Sequence, residues 1–190
     1  VVVLGSGQRG LCCVVAAREA GAAQVIVTGL GRDRHKLALA RELGADVVID
    51  AEQEDVVARV LEATSGGATV VVDTTPFAAA SPAHAVAMTA RRGRIILAGL
   101  KGRRPTPDFF ADDVIYKELT VRGVLSMPYD DFERAVRLIE SRKYPFEKLH
   151  THSFPVEQAE LAIRTLAGKT AITGAIHVAI VPGAPPVKGD

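Results

Sequence analysis

The sequence predicts an α/β fold: a doubly wound, six-stranded parallel sheet followed by a small carboxy-terminal appendage. Three observations predict it. Short runs of apolar residues, too uniformly apolar to keep one face in water, alternate with longer stretches of helical period. The helical stretches end repeatedly at glycine, the residue that most readily takes the left-handed conformation closing a helix. A glycine-rich turn joins the first apolar run to the first helical stretch, as in folds wound on both faces of a sheet.

The strands are expected at Val1–Leu4, Val25–Thr28, Val47–Ile49, Val70–Asp73, Arg94–Ala98 and Thr120–Gly123. Between the first two, Leu11–Ala20 holds mainly small and apolar residues and stops at Gly21, which suits a helix pressed tightly on the sheet. Lys36–Leu43 before Gly44, and Glu54–Thr64 before Ser65-Gly66-Gly67, repeat that punctuation. Ala78–Ala90 has helical spacing, and Arg91-Arg92-Gly93 is read as its stop. After Gly123 the pattern changes to an amphipathic helix, Asp130–Ser141, a helix from about Val156 to Ala167, and a last strand near Ala175–Val181. The expected organisation is therefore a sheet domain over 1–126, a separate segment over 127–181, and a Pro- and Gly-rich tail over 182–190 without fixed structure.

Composition excludes several classes of function. A hydrophobic share of 48% against 24% charged residues gives enough apolar surface to offset the entropy of ordering, so the body of the chain is not disordered. The formal net charge is +1, with basic residues spread along the chain, so nucleic acid and anionic membranes are not expected partners. No apolar run approaches the roughly 20 residues that a bilayer span requires. Cys12 and Cys13 are adjacent within an apolar stretch, which suits neither a disulfide framework nor metal-ligand spacing; they are expected to be small core residues of a reduced, cytoplasmic protein. The start at Val1-Val2-Val3-Leu4, already inside an apparent strand, is read as the mark of a fragment.

The sharpest motif is Gly5-Ser6-Gly7-Gln8-Arg9-Gly10, between a strand and a helix. Gly5 permits the turn, Gly7 lets backbone amides approach a pyrophosphate, and Gly10 lets helix and strand come close. This is the Rossmann-type dinucleotide fingerprint, and the amides opening the helix would hold the negative charge. An acid at the end of the second strand would bind the ribose 2′-hydroxyl and favour NAD, but Gly29 stands there. Leu30-Gly31-Arg32-Asp33-Arg34-His35-Lys36 follows, and Arg32 and Arg34 offer planar donor sets for the 2′-phosphate of NADP. NADP is thus the preferred cofactor and NAD the alternative; the other reading of this loop is a solvated basic helix start in which Asp33 reaches the ribose. Thr74 and Thr75, at the end of the fourth strand, and Ala98, Gly99 and Leu100, at the end of the fifth, stand where ligands of such sheets bind. Arg9 either adds a cation near the pyrophosphate or points to solvent, and the basic loop Lys101–Pro107 either borders the substrate or the 2′-phosphate or, as its default reading, is solvated.

Leu37–Asp46, Lys117–Gly123 and Thr151-His152-Ser153-Phe154-Pro155 with Ala159 carry a resemblance to the medium-chain dehydrogenases, zinc alcohol and polyol dehydrogenases above all, over Val1 to about Pro182. In that family the first segment is the helix and glycine stop after the second strand, the second is the last sheet strand, and the third is the entry to the final helix. The resemblance implies a two-domain NAD(P)-dependent oxidoreductase acting on a small alcohol or carbonyl compound. Residues 127–181 would be the terminal part of the catalytic domain, and a catalytic zinc would lie in an upstream domain. This chain alone is then expected to be inactive, with no catalytic or metal residue of its own. The resemblance also implies homo-oligomers paired through Thr120–Leu125, an edge whose backbone groups are free to pair. His152 is read as structural, at a turn before a helix; His177, in the last strand, is either a phosphate contact or one polar residue of an alternating strand. Two alternatives stay open: a zinc-free quinone or enoyl reductase of the same superfamily, and a non-catalytic NADP-binding redox-sensing module.

Overall fold

A computed structural model describes residues 1–187, and its chain divides into two compact units, Val1–Ala135 and Val136–Asp190. The first unit contains β1 (Val2–Leu4), α1 (Gln8–Glu19), β2 (Ile26–Gly29), α2 (Arg34–Glu42), β3 (Val47–Asp50), α3 (Val56–Ala63), β4 (Ala68–Asp73), α4 (Ser81–Met88), β5 (Thr89–Leu97), α5 (Ala111–Tyr116) and β6 (Thr120–Gly123). Helix α6 (Tyr129–Glu140) carries the chain into the second unit, which holds β7 (His150–Phe154), α7 (Ala159–Leu166) and β8 (His177–Ile180). Among the described residues no helix is long and apolar enough to cross a membrane.

The strand order β3-β2-β1-β4-β5-β6 is parallel throughout, so the doubly wound sheet expected from the sequence is what forms. Val2 pairs with Ile26 on one side and Val71 on the other, and Leu4 with Thr28 and Asp73. Alternation of side chains then sends Val2 and Leu4 to one face, with Ile26, Ile49, Val71, Ile95 and Met88, and Val3 to the other. Helices α3 and α4 pack together, as do α1 and α2. The chain leaves β1 toward β2 and later returns to β4 on its other side, which opens a crevice at the carboxyl ends of these strands.

Several elements differ from the sequence reading. Arg91-Arg92-Gly93 is not a helix stop outside the sheet: α4 ends at Met88, and these residues form an irregularity within β5, with Arg92 at φ 61° and the register against β4 shifting between Ala68 and Val70. Lys117 ends α4 instead. Its Nζ donates to the carbonyls of Val86 at 2.8 Å, Ala87 at 2.8 Å and Thr89 at 3.2 Å, a cation where the helix dipole is negative. Helix α5, six residues long with none buried, left no periodic signal in the sequence.

In the second unit, Thr151–Phe154 is part of strand β7 rather than a helix entry; β7 pairs in parallel with β8 and buries Phe154, while Pro155 leads into a 3-10 turn, Val156–Gln158, before α7. His152 therefore sits in a strand, and its buried Nδ1 has no hydrogen-bond partner. Where the tail was expected to lack fixed structure, Val187 exchanges two hydrogen bonds with the Gln158 amide, at 2.9 and 2.8 Å. Its last part, residues 188–190, lies outside the described residues.

Candidate functional site: the glycine turn and the strand ends around it

Gly5 turns the chain out of β1 with φ +99°, and its N–H donates to the Thr28 carbonyl at 3.1 Å and to Thr28 Oγ1 at 3.3 Å. Gly10, in the first turn of α1, lies so close that a β-carbon there would come 1.9 Å from the Gly5 carbonyl oxygen. Only glycine lets helix and turn approach this far. Gly7 differs from both: it caps α1 in extended conformation, and a β-carbon there would meet nothing within 4 Å. Its constraint does not come from this chain's own atoms. Ser6 is buried, whereas Gln8 and Arg9 are exposed. Amides of the first helical turn have no partner further back in the helix, so the turn presents donors and a positive dipole end to an open space.

The end of β2 explains the missing acid. A β-carbon on Gly29 would stand 2.5 Å from Ser6 Oγ and 2.8 Å from Leu37 Cδ2, so a side chain there would displace Ser6 from the turn. Carboxylates reach the neighbourhood from β3 instead. Gly29 pairs with Asp50; the Gly31 N–H donates to Glu52 Oε2 at 2.8 Å, and a β-carbon on Gly31 would lie 2.8 Å from Asp50 Oδ2. The sequence reading missed both acids, although the parallel register, which sets the end of β3 beside the end of β2, was the signal for them. Asp33 pairs with Lys36 at 2.8 Å. Arg32 and Arg34 are exposed and have no ion pair among the described residues. Burial, then the Lys36 charge, holds the His35 pKa below its usual value against a smaller opposing effect of Asp33.

At the ends of β4 and β5 the residues Thr74, Thr75, Ala98 and Gly99 come together with the glycine turn. Thr74 Oγ1 donates to the Leu4 carbonyl at 2.8 Å, tying β4 to β1. The N–H groups of Ala98 and Gly99 donate to the Asp73 carbonyl at 2.9 and 3.0 Å. A β-carbon on Gly99 would be 2.3 Å from the Thr75 carbonyl oxygen. Leu100 is 74% exposed, and its carbonyl accepts from the Phe77 N–H at 2.9 Å.

Beneath these loops lies a polar cluster that the sequence reading did not find. The Asp73 carboxylate, 0% exposed, accepts from Thr75 N–H at 3.0 Å, Thr75 Oγ1 at 2.6 Å, Ser81 Oγ at 2.7 Å and Lys101 Nζ at 2.9 Å. Lys101 Nζ also reaches the Thr75 carbonyl and Thr75 Oγ1. This corrects the reading of Lys101 as part of a solvated loop: its side chain is 13% exposed, because a buried carboxylate requires a partner.

The cysteines are also corrected: Cys12 is exposed and Cys13 half-buried. The apolar surroundings that shield part of each side chain from water raise both thiols, that of Cys13 to about 11 with a smaller push from Cys12, so neither is a ready thiolate. His177 belongs to the second unit, where its Nδ1 is 3.1 Å from that of His150. Among the described residues no three His, Cys, Asp or Glu side chains converge as a metal site.

Residues 10–141 match the zinc-binding dehydrogenase family. A probable alcohol dehydrogenase of Mycobacterium tuberculosis H37Rv is 42% identical over 184 residues, 96% of this chain and 50% of that protein. Sorbitol dehydrogenase of Halalkalibacterium halodurans is 31% identical over 173 residues, 90% of this chain and 50% of that protein. Among solved structures, alcohol dehydrogenase TADH from Thermus sp. ATN1 matches with a TM-score of 0.81 and 27% identity, covering 95% of this chain and 50% of that one. The chain spans about half the length of the curated relatives it matches.

Proposed function

Because the chain belongs to the zinc-binding dehydrogenase family, we propose that it is the dinucleotide-holding part of an NAD(P)-dependent oxidoreductase acting on a small alcohol or carbonyl compound. One observation carries this reading: at Gly7 a β-carbon would meet only open space, while Gly5 is held to glycine by its φ of +99° and Gly10 by the Gly5 backbone against it. A bare structural turn would need the second kind of glycine and not the first. Relatives printed as alcohol and sorbitol dehydrogenases support the reaction class.

In this proposal the amides around Gly5, Ser6, Gly7, Gln8, Arg9 and Gly10 hold the pyrophosphate. Thr74 and Thr75 border the dinucleotide from β4, and Ala98, Gly99 and Leu100 from β5. The bound nicotinamide ring takes up or gives the hydride. No donor set for the family's zinc converges among the described residues, so the metal and the acid–base chemistry of the alcohol are assigned to the rest of the protein. Residues 127–181 are assigned to its catalytic domain, with His177 either a contact to the pyrophosphate or a polar residue of β8.

NADP is the proposed preference, carried by Arg32 and Arg34, whose guanidinium groups are exposed and, among the described residues, without an ion pair. NAD is the second reading, favoured by Asp50 and Glu52, whose carboxylates crowd Gly31 and would repel a 2′-phosphate. Fluorescence titration of the chain with NADH and NADPH tests both. Arg32→Ala and Arg34→Ala are expected to weaken NADPH binding and spare NADH. Unchanged NADPH affinity in both variants, with a gain for Glu52→Gln, would move the preference to NAD. Binding of neither dinucleotide to well-folded protein would overturn the function itself.

Self-association is proposed through β6, which ends the sheet with one side unpaired among the described residues and exposes Val121, and through Val124 and Leu125 just beyond it, which are exposed as well. Its protomer is proposed to reside in the cytoplasm.

A further inference from the structure

We propose that Lys101 and Asp73 form a positioning clamp that fixes the two loops bordering the dinucleotide before it binds; this rests on the cofactor reading given above. Lys101 follows β5 and Asp73 ends β4, so their 2.9 Å contact joins the strand-end loops from beneath. Every polar atom in the cluster is committed to that junction. One Asp73 oxygen orders the Thr75 backbone N–H and hydroxyl, at 3.0 and 2.6 Å. The other takes Ser81 Oγ at 2.7 Å, fixing the start of α4, and Lys101 Nζ. Lys101 spends its remaining donors on the Thr75 carbonyl and Thr75 Oγ1.

Rim contacts repeat the link from above: Phe77 N–H donates to the Leu100 carbonyl at 2.9 Å, and Gly99 packs on the Thr75 carbonyl closely enough to exclude a β-carbon. Stability alone gives no reason for this arrangement, since a buried ion pair is often no more stabilising than apolar residues of the same volume. What the pair does fix is geometry. Two loops that would each be free at the mouth of the crevice are held at one spacing, and a ligand bound between them need not order them.

The test compares wild-type chain with Lys101→Met and with the double variant Asp73→Asn/Lys101→Met. The single variant strands a buried carboxylate and is expected to lose stability for that reason alone; the double variant keeps an oxygen for Thr75 and turns an amide N–H toward Ser81 Oγ, which accepts it, without any buried charge. NADH or NADPH affinity is read by fluorescence, thermal unfolding by circular dichroism, and loop order by amide exchange of residues 74–80 and 98–104. The double variant is expected to melt near the wild type yet bind on the order of tenfold more weakly, the equivalent of one charge-assisted hydrogen bond. Exchange in both loops is expected to quicken together. In ligand-free wild type the Phe77, Ala98 and Gly99 amides should already be protected. Wild-type affinity in the double variant, or unprotected amides in the ligand-free wild type, would overturn the clamp and leave the cofactor reading standing. A wild-type chain that binds neither dinucleotide overturns both.

Discussion

Replacing Gly10 and Gly7 by alanine, one at a time, separates what the glycine turn does for folding from what it does for a ligand. At Gly10 the new β-carbon would be 1.9 Å from the Gly5 carbonyl oxygen, against 3.4–4 Å for ordinary contact, so helix and turn must part by about 1.5 Å. Overpacking costs about 1–3 kcal/mol or more, while alanine in a helix interior returns about 1 kcal/mol over glycine. The clash wins because both colliding groups are backbone, and neither can move to another rotamer. We expect a net loss of about 2 kcal/mol, and for a chain of this size a fall in Tm of about 4–8 °C. At Gly7 the β-carbon meets nothing, and the backbone at φ −68° is open to any residue. The lost flexibility of the unfolded chain adds about 0.4–1 kcal/mol of stability and the poorer helix cap removes a similar amount, so Tm should barely change. Dinucleotide binding should nonetheless fall at least tenfold, since a methyl group now fills the space proposed for the pyrophosphate. The assays are circular dichroism melting and NADH titration on the same samples. A Gly10→Ala chain that melts like the wild type would refute the packing argument, and a Gly7→Ala chain that binds like the wild type would refute the placement of the ligand.

Other outcomes follow from the rest of the structure. Burial pushes the Asp46 carboxyl up, but the Val25 N–H and the Arg18 guanidinium outweigh it and hold the pKa below the usual 3.8. Its contribution to stability is then complete above about pH 4 and lost as pH falls through the lowered folded value. Asp46→Asn should therefore reduce Tm at pH 7 and flatten the acid side of the stability profile; equal losses at pH 7 and pH 2 would count against it. Lys117→Met should lower Tm by unbinding the end of α4, and a melting curve like that of the wild type would show that water replaces the ammonium there. Light scattering should give a mass above that of one chain, and a charge placed at Val121 or Leu125 should shift it toward the monomer; a monomeric wild type would remove β6 as the contact.

The sheet was legible because its central strands β1 and β2 are buried throughout and carry that burial as apolar runs; Val1–Leu4 and Val70–Asp73 announce themselves without any partner. The second unit was less so. Thr151–Phe154 holds three polar residues and a single apolar one beside a proline, which reads as a turn until β8 supplies the pairing across 26 intervening positions from His150 to His177. In α6 the apolar stripe Tyr129, Phe132, Val136 and Ile139 gives the helix by its spacing, yet all four remain exposed in this chain, since periodicity names a face and not what covers it. The glycine turn could be placed from sequence because its three glycines recur at a fixed short spacing between strand and helix, although only Gly5 and Gly10 answer steric demands within the chain. Asp50, Glu52 and the Asp73–Lys101 pair could not, because their meaning depends on which strands are neighbours and on where a long side chain folds back.

Lys117 carries a practical consequence for anyone unfolding this protein in urea. Burial in the folded chain lowers its ammonium pKa against a smaller opposing effect of Asp113, a shift that unfolding removes. Aged urea contains cyanate, which carbamylates free amines, and an unfolded chain leaves this one unshielded. Every lysine and the terminal amine react, but at Lys117 the product has no charge to offer the carbonyls of Val86, Ala87 and Thr89 on refolding, so repeated urea cycles would report a progressively weaker end to α4.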